Sequence, residues 1–182
     1  MSFEDAYSAT LKREGGYRLH TTAGDRGGAT YAGISRTMNG QWPGWAFIDR
    51  GETPPTELVR QFYFAGYWQA LRCDEMPPEV AASLYDFAVN TSAPGGGRPG
   101  KPSMAVKLAQ LAAGAEPDGV VGPKTLAALS NPPPLSAQQQ FVVVFALAKL
   151  QRYADICNQD ASRVQARTFL LGWINRILGG LR

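Results

Sequence analysis

Three polar side chains near the start of the chain have types and spacing suited to chemistry. They are Glu14, Asp25 and Thr30, interleaved with glycines at 15, 16, 24, 27, 28 and 33. A carboxyl at a helix end, a carboxylate on a glycine-rich stretch and a nearby hydroxyl form a set suited to glycoside hydrolysis. One acid protonates the leaving oxygen, and a second group on the opposite face of the sugar holds or activates water. Hydrolysis with inversion wants the two carboxyls roughly 6.5–9.5 Å apart, to leave room for that water. Plainer readings stay open at this point. Glu14 is equally well a solvated helix-end glutamate, and Asp25 and Thr30 suit turns that they merely organise.

The elements that must position these groups can be read from patterning. Ser2 to Glu14 reads as one amphipathic helix, with Phe3, Ala6, Tyr7 and Leu11 on a single face. Ser2 is its cap and Asp5 completes a near capping box. Continuing the stripe reaches Glu14, so its carboxyl is expected at the end of the core-facing side. Burial disfavours the charged form of a carboxyl, and a carboxyl that keeps its proton near neutral pH is what general acid catalysis requires. Gly15 and Gly16 then end the helix. From Tyr17 to Ile34 glycines alternate with Thr, Tyr and Asp, the pattern of an irregular β-hairpin or wing. Residues 37–55 read mostly as loop with a short helical piece. Thr53-Pro54 suggests the start of a second helix, running to about Leu71 with Leu58, Phe62, Ala65 and Trp68 inward. Pro77-Pro78 opens a third through Val80, Leu84, Phe87 and Ala88 to near Asn90. Asp86 and Asn90 share a face of that helix one turn apart. Together with Tyr31 they are candidates to line a sugar cleft; a buried hydrogen-bonded or capping pair is the alternative for Asp86 and Asn90. Trp42, Trp45 and Trp68 suit stacking on sugars, but tryptophans at helical spacing belong more often to a core.

Thr91 to Lys101 is dense in glycine and proline and marks a lobe boundary. It divides the chain into a lobe of residues 1–91 and a second of 102–182. In the second, Pro102 opens a helix to about Ala113, stopped by Gly114. Asp118 to Gly122 is a turn, and Pro123 to about Leu129 a short helix. Ser136 and Gln139 form a capping box for a long helix to about Asn158. A last helix spans Ala161 to Leu178, with Arg163, Arg167 and Arg176 opposite Leu170, Leu171, Ile174, Ile177 and Leu178. That helix can touch an anionic membrane weakly, though packing of its apolar face into the core is the better reading. The fold class is mostly α (α+β), with one small β element.

Composition narrows the function classes. Apolar residues make up 45% and charged residues 18% of 182, which suits a folded domain and argues against disorder. A net charge of +3 and a pI near 9.0 suit an anionic polymer such as a cell wall, but are too mild to argue for nucleic acid. Cys73 and Cys157 are far apart and read as buried free thiols, and His20 has no His or Cys neighbour, so no metal site is expected. Glu4, Asp5, Lys12, Arg13 and Glu14 crowd the first residues, leaving no apolar signal segment. The longest apolar run, Phe141 to Ala148, is too short to span a bilayer. Synthesis and retention in the cytoplasm are therefore expected unless another system exports the protein.

The run Glu14-Gly15-Gly16-Tyr17, followed by D-x-GG-x-T-x-x-GIS from Asp25 to Ser35, resembles the signature of glycoside hydrolase family 108. These are phage endolysin and secretion-activator muramidases. The resemblance continues in YWQAL (67–71), in Tyr85 to Asn90, in DGVVGPKTLAAL (118–129) and in Phe169 to Arg176, so it covers nearly the whole chain. It implies a lysozyme-like fold of helical lobes with one small β-hairpin wing, and a peptidoglycan-binding subdomain in the second half. It implies that Glu14 is the acid cutting between N-acetylmuramic acid and N-acetylglucosamine, without cofactor or metal, with Asp25 and Thr30 as water-positioning groups. Bacterial peptidoglycan is the expected partner and a monomer the expected state, reaching periplasmic wall after holin-type release or export. One departure stands out. Family members commonly carry an Asn-Asp-Pro run soon after EGGY, where this chain has Arg18-Leu19-His20-Thr21-Thr22, so the role of Asp25 is less secure than that of Glu14. A lytic transglycosylase and a non-catalytic wall-binding or secretion-assisting protein are the rival expectations.

Overall fold

The computed structural model of the chain describes residues 2–21, 28–91, 102–131, 137–158, 170–175 and 177. It separates into two compact units, Met1–Ala70 and Leu71–Arg182.

The first unit begins with α1, Phe3–Arg13. Ser2 and Asp5 form a full capping box: the Ser2 hydroxyl accepts from the Asp5 amide at 3.3 Å, and the Asp5 carboxylate accepts from the Ser2 amide at 2.9 Å. These bonds hold the Asp5 carboxyl below its ordinary range. The buried face of α1 is Phe3, Ala6, Tyr7 and Thr10, so Thr10 takes the inward place expected of Leu11. Glu14 caps the helix, its amide donating to the Thr10 carbonyl at 2.9 Å. Gly15 and Gly16 follow with φ of 82° and 76°, a left-handed pair that turns the chain away sharply.

The small β element is a three-stranded antiparallel sheet: β1 (Leu19–Thr21), β2 (Ala29–Tyr31) and β3 (Ile34–Ser35), in that order. His20 faces Thr30 across one pairing, and Thr30 faces Ser35 across the next. Residues 36–55 are mostly loop around α2, Trp45–Asp49, as expected. Two indoles anchor that loop. Trp42 Nε1 donates to the Leu58 carbonyl at 3.2 Å, and Trp45 Nε1 to the Asn39 carbonyl at 2.8 Å. Both rings are buried, as is Trp68, so all three belong to the core.

The second expected helix starts later than its prolines suggested. Pro55, not Thr53, is the N-cap of α3, Thr56–Tyr63. The chain then continues as a π-helical segment, Phe64–Gln69. The inward stripe is Val59, Tyr63 and Trp68, rather than Leu58, Phe62, Ala65 and Trp68. A π turn holds more residues than an α turn, so the face advances by five positions from Tyr63 to Trp68 instead of four. Around these elements Phe3 meets Tyr7, Phe64 and Trp68 with ring centroids 5.0–5.6 Å apart, and Tyr7 meets Tyr63 at 5.8 Å. Arg60 closes the edge of the cluster by pairing with Glu4 at 2.6 Å across the Phe3 ring.

The second unit opens with a short 3-10 turn, Cys73–Glu75. The helices α4 (Pro78–Thr91), α5 (Met104–Ala112), α6 (Pro123–Ser130) and α7 (Ala137–Asn158) follow. α4 and α6 start at their expected prolines, whereas α5 starts two residues after Pro102, where the Ser103 hydroxyl caps it, and Gly114, with φ of 69°, follows the α5 cap at Ala113. The core holds Phe87, Phe141, Phe145 and Tyr153, with Trp173 stacked on Tyr153 at 4.5 Å. Lys149 is the odd member of this core. Its ammonium donates to the Ser83 hydroxyl at 2.9 Å and lies 4.2 Å from the Phe145 centroid, the pairing a buried cation needs. Cys73 and Cys157 are buried free thiols, and burial pushes the Cys73 thiol well above its ordinary value. The capping box of Ser136 and Gln139 lies outside the described residues, as do Arg163, Arg167 and Arg176 and most of the last helix. Among the described residues, no helix is long and apolar enough to cross a membrane.

Candidate active site

The site is built where the end of α1 meets the turn between β2 and β3. That turn is only Ala32-Gly33, and both residues have positive φ, 50° and 80°. A two-residue hairpin of this kind matches the twist of its strands and needs left-handed backbone at both positions. Glycine adopts that conformation freely, whereas Ala32 bears a local cost of roughly 1–2 kcal/mol. Ala32 is fully buried, and the Tyr63 hydroxyl donates to its carbonyl at 2.8 Å. The end of α3 thus clamps the hairpin.

Glu14 lies against the same turn. A Cβ at position 33 would meet Glu14 Cγ at 2.7 Å, Glu14 Cδ at 3.0 Å and the Tyr63 hydroxyl at 2.5 Å. A side chain there would have to displace Glu14. The acid therefore rests across bare backbone, half-buried, with a phenol oxygen against the same glycine. Among the described residues, no hydrogen bond or ion pair engages the Glu14 carboxyl. Close by in sequence, Tyr17 is 40% exposed and its hydroxyl meets that of Tyr7 at 3.1 Å.

The other expected site residues fall differently. Thr30 is half-exposed at the centre of β2, between His20 and Ser35. Tyr31, next along the strand, points the other way and is buried, with its ring stacked on Trp42 at 5.9 Å. Its hydroxyl finds no hydrogen-bond partner among the described residues, and burial, with Tyr17 adding, raises its pKa. Asp25 lies outside the described residues. Asp86 and Asn90 are half-buried on α4 in the second unit, where the Asn90 amide donates to the Tyr153 hydroxyl. Among the described residues, no group of His, Cys, Asp and Glu is arranged to hold a metal ion.

The places of two members of the site were not readable from the sequence. Tyr63 was hidden because the stripe it belongs to has mixed spacing. Gly33 was visible as a glycine, but its closeness to Glu14 is a tertiary fact.

Comparison with known proteins agrees with this architecture. The Glycosyl hydrolase 108 family model matches residues 7–91, and the Predicted Peptidoglycan domain model matches residues 104–178. The solved structure of SagA from Brucella abortus is similar in fold, with a TM-score of 0.64 at 24% identity, over 99% of this chain and 95% of that one. No curated protein matches the chain. The fold is thus the α-rich, lysozyme-like one with a small antiparallel sheet, and the paired families give the chain a role in peptidoglycan hydrolysis or binding. Residues 7–91 are thus similar to the glycosyl hydrolase 108 family, and residues 104–178 to the predicted peptidoglycan domain family.

Proposed function

We propose that the protein is an N-acetylmuramidase that hydrolyses the bond between N-acetylmuramic acid and N-acetylglucosamine in bacterial peptidoglycan. Glu14 is the general acid. It gives its proton to the glycosidic oxygen as the bond from the anomeric carbon breaks. Water, oriented by Asp25 and Thr30, adds to that carbon and releases a proton, and Glu14 regains its own from solvent. The observation that carries this reading is the placement of the Glu14 carboxyl. It is half-buried against Gly33 and engages no partner among the described residues, so its oxygens are free to meet a substrate oxygen. The same reading has the protein made in the cytoplasm and delivered to periplasmic wall by holin-type release or export.

The test is turbidity loss of purified sacculi. Glu14→Gln keeps the shape of the side chain and removes the acid. It should lower the rate by about 10²–10⁴-fold, the usual contribution of a positioned acid, while sacculus binding and the melting temperature stay near wild type. Rapid clearing by the variant would sink the assignment. Mass spectrometry of the wild-type digest completes it. Reducing ends are expected; 1,6-anhydro ends would make the enzyme a transglycosylase, and no soluble sugar at all would leave only a wall-binding protein.

A further inference from the structure

We propose that Tyr63 is the positioning residue for the Glu14 acid, setting its distance from the hairpin through one hydroxyl. The inference rests on Glu14 being the acid. Tyr63 is the last residue of α3 and 2% exposed, with its ring packed against Tyr7, Phe62 and Tyr67. Those contacts, and the π-helical segment that follows at once, fix the ring from both sides. Its hydroxyl reaches two parts of the site. It donates to the carbonyl of Ala32, and its oxygen crowds the same face of Gly33 that Glu14 Cγ and Cδ occupy. One phenol oxygen therefore holds the hairpin turn in place and bounds the room left to the acid beside that turn.

The chemistry explains why such a group matters. A general acid works only when its proton is delivered within hydrogen-bond reach, and errors near 1 Å cost large factors in rate. Glu14 sits at a helix end before two glycines, which have no side chains to pack against its carboxyl. No partner among the described residues ties down its carboxyl. Steric confinement between Gly33 and the phenol oxygen takes the place of such a bond while leaving the carboxyl oxygens free. The turn also depends on Tyr63, because Ala32 must stay in the left-handed region without being glycine.

The experiment uses the full chain and soluble, uncross-linked glycan strands prepared from sacculi. Tyr63→Phe keeps the ring and removes only the hydroxyl. The expected result is a fall of about tenfold in kcat with KM within about twofold of wild type. Circular dichroism should show the variant fully folded at the assay temperature. Glu14→Asp supplies the second arm. Its carboxyl is one methylene short of the phenol, so adding Tyr63→Phe should lower its kcat less than twofold, because residues that act through one another do not add. A wild-type kcat for Tyr63→Phe overturns the proposal, as does a rise in KM alone, which would make Tyr63 a binding residue. Equal tenfold losses in both backgrounds also overturn it. Glu14→Gln, measured alongside, separates the two claims. If it is inactive and Tyr63→Phe is normal, only the positioning role fails; if it is fully active, both fail.

Discussion

Each unit contains an acid beside a crowded, left-handed glycine, and the two acids are treated in opposite ways. In the second unit Asp118 precedes Gly119. Its carboxylate accepts from the Gln110 amide at 2.7 Å and from the Val120 amide at 2.8 Å. Gln110 is fully buried and ties the turn together: it donates also to the Thr125 hydroxyl at 2.8 Å and to the Val120 carbonyl at 3.1 Å, and accepts from the Gly119 amide at 2.8 Å. One oxygen of that carboxylate and the whole amide of Gln110 are used in holding the loop. In the first unit Glu14 rests on Gly33, and no described residue bonds to its carboxyl. An acid bonded within its own turn is part of the scaffold, whereas the carboxyl of Glu14 is bounded by shape alone. The motif DGVVG is as conspicuous in the sequence as EGGY, yet its own hydrogen bonds account for its residues.

The two glycines offer the strongest way to break that contrast. Gly33 and Gly119 have nearly the same φ, 80° and 83°, so alanine bears a similar backbone cost of about 1–2 kcal/mol at each. The surroundings differ. At 119 a Cβ would meet the backbone of Ser103 at 2.9–3.0 Å, which cannot yield without moving the start of α5. At 33 it would meet the Tyr63 hydroxyl, held by its packed ring, and the side chain of Glu14, which can swing aside. Gly33→Ala should therefore lower glycan hydrolysis by about a hundredfold, by displacing the acid. Gly119→Ala should lower the melting temperature more than Gly33→Ala does, yet leave hydrolysis per folded molecule unchanged. Kinetics and thermal melts on the pair decide it, and a Gly33→Ala enzyme with normal turnover would erase the distinction. Gln110→Leu is the next largest. It keeps the volume but strands the Gly119 amide, at about 2 kcal/mol by denaturant titration and again without a change in turnover, while the Val120 carbonyl keeps its bond from the Thr125 hydroxyl.

What was legible in the sequence follows the same division between local and distant causes. The capping box of Ser2 and Asp5 spans three residues, and proline at the start of α6 acts on its own helix, so both could be read directly. The end of α1 at Glu14 was readable because the helix stripe and two glycines coincide there. The stripe through Val59, Tyr63 and Trp68 was not, because a π turn breaks the spacing on which helical reading depends. The bond from Tyr63 to Ala32 joins residues 31 apart, and no local pattern announces it. Ala32 likewise gave no sign of a left-handed backbone, since that conformation is imposed by Gly33 beside it and by the phenol above. Gln110 looked like one more polar residue on α5 until the turn it serves was in place. The site's acid was visible before its setting was, and the setting is what separates it from Asp118.

The smallest expected effect sharpens the contrast from the side of Asp118. Its hydrogen bonds, that of Gln110 first and that of the Val120 amide next, hold its carboxyl below the ordinary value of 3.8. A group depressed in the folded state contributes stability that is complete above its unfolded value and is lost as pH falls through the folded one. Asp118→Asn removes that contribution. The difference in denaturant midpoint between wild type and variant should therefore be constant at neutral pH and down to about pH 5, and should close as pH drops below 3.8. Other paired acids, Asp5, Asp49, Glu52 and Glu75, also lose their partners over this range. They do so equally in both proteins and cancel in the difference. A gap that stays open to the acid end would mean that the turn depends on the acceptor oxygens of residue 118 and not on their charge. The hydrogen bonds would then hold Asp118 whether or not it is ionised, and the contrast with Glu14 would rest on bonding alone.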